Sequence, residues 1–187
     1  LHTLALSNLP RLVAIGEGAF YEAPLETLTL ELPRLESIGA GAFHAARVSE
    51  LDLSNLERLV TIGPCAFFSA PLRSLQVSGL ARLSSIGPYA FTTAKLASLQ
   101  LTGLTRLALI GDEALYESPL VSLDLSGAPN LVSVGKGAFA SATSLVPSLA
   151  HMHKLTYIGA NALSTARLHS LDLSGLNLLR EIGTDAF

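Results

Sequence analysis

Two histidines with metal-binding potential stand close together in this sequence. His151 and His153 flank Met152, so two imidazoles lie within three residues. A structural zinc site needs four ligands, and a catalytic zinc site takes three from the protein. No third ligand accompanies this pair, and we therefore predict no metal site.

Residues that could act in catalysis also lack partners in the sequence. Cys65 is the only cysteine, and no histidine lies near it in the sequence to activate its thiol. Asp124 or Asp172 could pair with His169, but no nucleophile is defined and the Gly-x-Ser-x-Gly motif is missing. Gly135-Lys136-Gly137 lacks the rest of a phosphate-binding loop. We predict that the chain is not an enzyme and has no cofactor.

The composition argues against several classes of partner and architecture. The net charge of −3 is too small to favour nucleic acid or an anionic membrane surface. Apolar residues make up 49% of the chain, yet no run of 18 apolar residues could span a bilayer. One cysteine cannot form an internal disulfide. The apolar residues are spaced regularly instead, which indicates a folded core.

A pattern of about 24 residues returns along the chain, and it must position any binding residue. Each copy contains Ile-Gly or Val-Gly, an Ala three residues later, and then an aromatic residue or Leu. The glycines are Gly16, Gly39, Gly63, Gly87, Gly111, Gly135, Gly159 and Gly183. The first interval is 23 residues and the other six are 24. A fixed period in this range predicts a solenoid of eight repeats, with one coil per repeat.

The repeat at residues 72–95 shows how each coil should begin. Leu75-Gln76-Val77 alternates apolar and polar residues, which predicts a short strand. A column of Gly or Asn follows, and these residues tolerate positive φ, so we predict a left-handed turn there. The column consists of Asn8, Asn55, Gly79, Gly103, Gly127 and Gly175.

The rest of the same repeat should cross the opposite side of the coil and return through the core. Leu80, Leu83 and Ile86 are spaced to point inward. Gly87 marks either another positive φ or a close approach between coils. Ala90-Phe91 should lie inside, because small Ala side chains let coils approach while the Phe rings stack into a spine.

These residues resemble the BspA-like, or treponemal-type, leucine-rich repeats, and the match extends over all eight copies. The resemblance implies a curved right-handed solenoid with a parallel sheet on its concave face and a mostly irregular or short-strand convex side. It also implies surface or secreted proteins of bacteria and protists that adhere to host or neighbouring-cell proteins. This chain departs from the family at the Cys position. The residues there are Ala23, Ala46, Ala70, Ala94, Ser118, Ala142 and Ala166.

One column of outward-facing strand residues is the predicted partner-binding surface, since concave faces of repeat arrays commonly bind ligands. Its polar members are Thr29, Asp52, Gln76, Gln100, Asp124 and Asp172. They make a small, polar and mildly acidic surface. The alternative interpretation is a solvated sheet face without a partner. We predict binding centred on Asp52, Gln76, Gln100 and Asp124, where the strands are most regular.

A column of arginines is the alternative site, an anion strip for an acidic glycan or an acidic partner. Its members are Arg11, Arg34, Arg58, Arg82 and Arg106. The simpler interpretation, which the negative net charge favours, is that the arginine stems cover convex leucines while the charged heads stay in water.

A third column places aromatic rings just after the Ala-Phe pair, either as a contact patch or, as we favour, as packing beneath the loop. Its rings are Tyr21, His44, Phe68 and Tyr116. Pro24, Pro71 and Pro119 follow three of these residues, whereas Arg47 and Lys95 take the Pro position in the coils between. This alternation predicts a period of two coils.

One residue predicts an irregularity in the strands. Pro147 stands where other repeats have Leu, and Pro cannot donate to a ladder, so we predict a break in the sheet at the seventh repeat.

Residues 1–187 are interpreted as a single array from a longer chain, since neither end has the polar cap that solenoids need. The leading functional hypothesis is a non-catalytic module that binds a protein at a cell surface. An intracellular scaffold, in which the array is a docking surface or spacer within a larger assembly, is the second. The missing Cys column and the absence of Asn-x-Ser/Thr glycosylation acceptors keep this alternative open.

Overall fold

The computed structural model describes residues 1–142, 149, 151–165 and 172–187. Within these ranges the chain forms short strands joined by turns, and no helix. In chain order the strands are β1 (Thr3–Leu6), β2 (Ala14–Ile15), β3 (Thr27–Leu30), β4 (Ser37–Ile38), β5 (Glu50–Asp52), β6 (Thr61–Ile62), β7 (Ser74–Gln76), β8 (Ser85–Ile86), β9 (Ser98–Gln100), β10 (Leu109–Ile110), β11 (Ser122–Asp124), β12 (Ser133–Val134), β13 (Tyr157–Ile158) and β14 (Glu181–Ile182). The strands β1, β3, β5, β7, β9 and β11 form what we call the Leu-x-Leu face. The remaining strands form the Ile-Gly face.

The Ile-Gly face is one continuous parallel sheet of eight strands in the order β14-β13-β12-β10-β8-β6-β4-β2. Each two-residue strand pairs with its equivalent in the next coil, as Ile38 does with Ile62 and Ile62 with Ile86. These isoleucines point into the core and are at most 2% exposed. Pairing between residues one repeat apart confirms the solenoid that the period predicts.

The glycines of the Ile-Gly face are required by close approach between coils. A Cβ atom added to Gly39 would lie 2.6 Å from the carbonyl carbon of Gly16, and one added to Gly63 would lie 2.7 Å from the amide nitrogen of Ala40. Neither glycine has a positive φ. Of the two explanations that the sequence left open, close approach is therefore the correct one.

The Leu-x-Leu face is divided into three two-stranded parallel sheets, β1-β3, β5-β7 and β9-β11. We expected a continuous sheet here, and the division follows the predicted period of two coils. The backbone N–H groups of Arg47 and Lys95 donate to the carbonyls of Leu25 and Leu72, at 2.6 Å each. Pro stands at the equivalent position before β3, β7 and β11 and has no N–H to donate. Each ladder therefore joins a coil with Pro to the coil before it, and pairing is interrupted between a coil with Pro and the following coil with Arg or Lys.

From the second coil to the seventh, the pairs of Ala with Phe or Leu lie inside, as predicted, whereas in the first coil Ala19 is exposed and Phe20 is half-buried. Phe43, Phe67 and Phe91 are at most 1% exposed, and their rings stack with centroids 5.1 and 5.4 Å apart. Phe20 extends the stack at 5.2 Å from Phe43. The rings thus form the predicted spine along the first four coils.

The turn edge, residues 63–70 in the third coil and their equivalents, contains left-handed backbone that the sequence analysis missed. The second residue after each Ile-Gly or Val-Gly glycine has a positive φ: Gly18, Gly41, Cys65, Tyr89, Glu113, Gly137, Asn161 and Asp185. Alternate amides along this edge donate to the next coil, as Phe43 does to the Ala66 carbonyl at 2.8 Å. Bonding between coils therefore continues around the turn edge.

The predicted left-handed turn after the Leu-x-Leu strands is only partly correct. Asn8, Gly79 and Gly103 have positive φ, but Asn55 and Gly127 do not. At Gly127 an added Cβ would collide with the backbone of Leu101 and Thr102, so close approach explains that glycine. The predicted break at Pro147 lies outside the described residues.

Candidate partner-binding surface

The predicted binding column lies on the solvent side of the Leu-x-Leu face. Leu51 and Leu75 point into the core, and the strand pleat therefore directs Asp52 and Gln76 outward. Thr29, Gln100 and Asp172 are also exposed, and Asp124 is half-buried. The parallel register places Asp52 opposite Gln76 in one sheet and Asp124 opposite Gln100 in another. The column is therefore brought together in pairs of neighbouring residues.

A depression of about 520 Å³ lies on this face across β3, β5 and β7, and we call it the central depression. Its lining includes Thr29, Asp52 and Gln76 of the predicted column, with Glu26 and Glu50 beside them. It includes the junction between β3 and β5, which belong to different sheets. A pocket of this volume is within the range of ligand sites. The sequence did not predict the depression, because its position depends on where the ladder is interrupted.

The aspartates of the column also stabilise the turns that follow the strands. Oδ1 of Asp52 accepts hydrogen bonds from the backbone N–H of Ser54 at 2.9 Å and from its hydroxyl at 2.6 Å. Oδ1 of Asp124 likewise accepts the backbone N–H of Ser126 at 2.9 Å. The hydroxyl and then the backbone N–H of Ser126 lower the pKa of Asp124. The Asp-x-Ser pattern was a signal for this capping role that the sequence analysis did not use.

Asp172 repeats the same arrangement at the far end of the column. Its Oδ1 accepts the backbone N–H of Ser174 at 2.9 Å, and hydrogen bonds from the Ser174 side chain and then its backbone lower the pKa of Asp172. One oxygen of each aspartate is therefore committed to the turn. At Asp52, which is exposed, the other carboxylate oxygen forms no hydrogen bond within the described residues and is free to accept from a partner.

The charges around the central depression are mainly negative. Glu26, Glu50 and Asp52 all line it, and among the described residues no Lys or Arg does. At its rim the Nδ1 atom of His2 lies 3.3 Å from the carboxylate of Glu26, and both side chains are well exposed. The surface therefore favours hydrogen-bond donors and positive charge.

The arginine column lies on the turns between the two faces and not in the central depression. Arg11, Arg34, Arg58, Arg82 and Arg106 are all exposed. None of them forms an ion pair with another residue in the described ranges. In the next coil Asn130 takes their place, and its side-chain amide donates to the Thr105 carbonyl at 2.6 Å. Arg11 lines a depression of about 420 Å³ together with Asn8 and Leu12, and the column stays a candidate anion strip.

The aromatic column is stacked along the turn edge. The ring of His44 lies between Tyr21 and Phe68, with centroid distances of 4.5 and 5.0 Å. Tyr21 is 53% exposed, whereas His44 and Phe68 are half-buried. The first three rings of this column therefore pack against one another, and the ring of Tyr21 at its end is also exposed to solvent.

Where the structure describes them, the residues considered for metal binding or catalysis are not brought together into a site. His151 and His153 are exposed on either side of Met152, which is buried as the repeat alignment predicts. Burial raises the pKa of the Cys65 thiol. Among the residues that the structure describes, no three His, Cys, Asp or Glu side chains are placed to hold a metal ion. His169, considered as a partner for Asp124 or Asp172, lies outside those residues.

The described part of the chain contains no helix with the length and apolar character needed to cross a bilayer.

Comparison with known proteins identifies the repeats. The model of the BspA-type leucine-rich repeat region matches residues 13–126 and 60–187 and accounts for six copies. A comparison with curated proteins gives no significant match. The two matched segments overlap and together cover most of the sequence, in agreement with the eight coils and the buried Leu, Ile and Phe columns. The chain therefore belongs to the BspA-type leucine-rich repeat family.

Proposed function

We propose that this chain is a non-catalytic protein-binding module that holds its partner on the Leu-x-Leu face. Leucine-rich repeats generally mediate protein–protein interaction, and solenoids offer extended surfaces for it. The observation that carries the proposal is the central depression, which is lined by Thr29, Asp52 and Gln76 of one outward column.

The chemistry of the central depression indicates the kind of partner segment that fits it. Three carboxylates and no cationic side chain line it, so a segment with Lys, Arg or amide donors complements it in charge. Asp52 keeps one carboxylate oxygen available, and Gln76 offers both a donor and an acceptor. The backbone under these side chains is held by strand pairing, so little ordering entropy opposes binding.

We further propose that this binding serves adhesion or recognition at a cell surface. The support is the family to which the repeats belong, together with a polar and exposed Leu-x-Leu face. Labelling of intact source cells with an antibody against the chain tests this part. Surface staining without permeabilisation is expected. Staining only after permeabilisation would favour the intracellular scaffold instead.

The binding face is tested with charge-altering variants and a purified partner. The partner is first isolated with the parent chain and identified by mass spectrometry, and its affinity for each variant is then measured. Thr29→Lys with Gln76→Lys places two positive charges in the central depression and should weaken binding by roughly tenfold or more, since like charges repel a basic segment. Neither side chain forms a hydrogen bond in the described structure, so folding should be preserved.

Two control variants separate the central depression from the rest of the surface. Gln100→Lys alters the same column outside the depression and should have a smaller effect. Arg58→Glu with Arg82→Glu tests the arginine column. Loss of binding in the arginine variant alone would overturn the proposal, and full binding in all variants would exclude both columns.

A further inference from the structure

A second depression, of about 420 Å³, lies on the turn edge, and we call it the turn-edge depression. Tyr116, Ala140 and Ser164 line it, and these residues occupy the aromatic column in three successive coils. The column has rings in the first three coils and Thr92 in the fourth. The column therefore has a ring at Tyr116 and small side chains in the two coils that follow it.

The spacing of the column is suited to stacked rings. Tyr21, His44 and Phe68 lie one coil apart, with centroids 4.5 to 5.0 Å apart and planes within 13° of parallel. Aromatic pairs are favourable at such distances. A ring one coil beyond Tyr116 would stand at position 140, where the chain has only a methyl group. The turn-edge depression thus leaves the place of one ring empty beside Tyr116.

Polar side chains surround this place. Glu113, Lys136 and Asn161 line the turn-edge depression together with Tyr116. Their side chains form no hydrogen bond or ion pair with any residue of the described structure. A carboxylate, an ammonium and an amide are therefore available to bond the polar atoms that accompany a bound ring.

We propose that the turn-edge depression receives an aromatic side chain of a partner protein, stacked on Tyr116 above Ala140. Glu113, Lys136 and Asn161 then bond the backbone amides of the partner next to that side chain. This rests on the proposed function in that the partner is a protein, but it assigns a second contact on another side of the coil. Buried aromatic anchors commonly dominate the energy of protein interfaces.

The position beside Tyr116 favours an aromatic side chain over an aliphatic one. A ring above Ala140 would lie one coil from Tyr116, which is the spacing at which rings stack from Tyr21 to Phe68 in the same column. The remaining space accommodates the flanking backbone, because the polar lining surrounds the ring position. An aliphatic group would make contact but would forgo the stacking on Tyr116.

The absence of Trp from the chain allows a direct test with N-acetyl-L-tryptophanamide, whose indole fluorescence has no indole background from the protein. Titration of the folded chain against this probe should show saturable binding with a Kd on the order of millimolar, as expected for a fragment of this size. Chemical shifts of the Ala140 methyl group should move in the same titration.

Variants that copy other coils provide matched controls. Ala140→Phe places a ring where Phe68 stands in its own coil, and it should weaken probe binding at least tenfold by filling the place of the bound ring. Tyr21→Thr removes the ring at the exposed end of the column, outside the turn-edge depression, and should bind the probe as the parent does. Tyr116→Thr copies Thr92 and should also weaken binding tenfold by removing the platform. Should Ala140→Phe unfold, as judged by circular dichroism, the comparison of Tyr116→Thr with Tyr21→Thr decides.

The outcomes separate this inference from the proposed function. Thr29→Lys with Gln76→Lys should leave probe binding unchanged, because those residues line the central depression. Equal probe binding by the parent and Ala140→Phe overturns the inference, as does the absence of saturable binding. Binding of methyl α-D-glucopyranoside in place of the probe also overturns it and identifies a sugar site. None of these results decides whether the Leu-x-Leu face binds a partner, which is tested by the variants of that face.

Discussion

Single residues of this array are constrained by the distance between successive coils. At the glycines of the Ile-Gly face from Gly39 to Gly183, backbone meets backbone so closely that a methyl group has no space. At the family's Cys position, the column is instead filled by buried small side chains such as Ala70 and Ala94. Both columns let coils approach, one by lacking a side chain and the other by keeping it small.

Substitution at Gly63 is predicted to separate two coils. A Cβ atom there would lie 2.7 Å from the Ala40 nitrogen and 2.8 Å from the Gly39 carbonyl carbon, and backbone atoms cannot move away cheaply. Gly63→Ala should therefore destabilise the chain by about 1–3 kcal/mol or more. Gly16→Ala is the matched control, since nothing lies within 4 Å of its added Cβ. Urea unfolding measures both, and equal stabilities would contradict the close-approach explanation.

Ser118 is predicted to be a destabilising residue at the family's Cys position. It is fully buried, and its hydroxyl has no hydrogen-bond partner in the described part of the chain. A buried polar group without a partner costs about 1–3 kcal/mol. Ser118→Ala should raise the free energy of unfolding by that order. The reverse change, Ala94→Ser, should lower it. A lower melting temperature for Ser118→Ala would show that the hydroxyl is satisfied.

Elements in this fold are single strands or turns, and their stability depends on the next coil. The aromatic spine illustrates this, because Phe67 stacks on Phe43 on one side and on Phe91 on the other. Phe20 has such a neighbour on one side only and is half-buried. A Phe in the middle of the stack therefore contributes more to stability than a Phe at its end.

Truncation of the spine is predicted to be most costly in the middle of the stack. Phe67→Ala should destabilise by about 3–5 kcal/mol, because a fully buried ring and two stacking contacts are lost. Phe20→Ala should cost less. Phe91→Leu should be tolerated better than Phe91→Ala, since Leu115 is native in the same column. Thermal unfolding tests this order, and an unchanged midpoint for Phe67→Ala would remove the spine as a major source of stability.

The periodic columns were predictable from the sequence because burial selects the same residue type in every coil. Left-handed backbone was less predictable. Gly18 and Gly41 signalled it, but Cys65, Tyr89 and Glu113 adopt the same conformation although their residue types do not favour it. There the repeated geometry of neighbouring coils overrides local preference.

The division of the Leu-x-Leu face, and with it the central depression, was also beyond the sequence analysis. The alternation of Pro with Arg or Lys was visible in the sequence. Its effect on strand pairing depends on the backbone N–H of Arg47 and of Lys95, each of which donates to the preceding coil. The column of exposed residues could be located from strand alternation alone. Which of them share a depression depends on the gap between β3 and β5, and the change from Pro24 to Arg47 marks that gap without giving its shape.

The described strands form a one-dimensional array, in which each strand pairs only with strands of the neighbouring coils. The amides of Gly63 and Gly87 donate at 2.8 Å to the preceding coil, and both glycines are also covered by the coil that follows. Leu1 and Ile182, near the two ends of the described chain, are 63% and 46% exposed. Arrays of this kind have stabilities that sum over coils and the contacts between them.

Hydrogen exchange of the 187-residue chain should therefore vary along the array. Amides of the Ile-Gly face are expected to exchange most slowly in the third to fifth coils, where both neighbours are present, and faster toward either end. Gly63 and Gly183 form a matched pair, because each donates at 2.8 Å to the isoleucine carbonyl of the preceding coil, Ile38 and Ile158. Only Gly63 has a complete coil after it, so its amide should be protected more strongly. Equal protection of both amides would mean that the array opens as one cooperative unit, and that the contacts between coils outweigh the loss of a neighbour at the end.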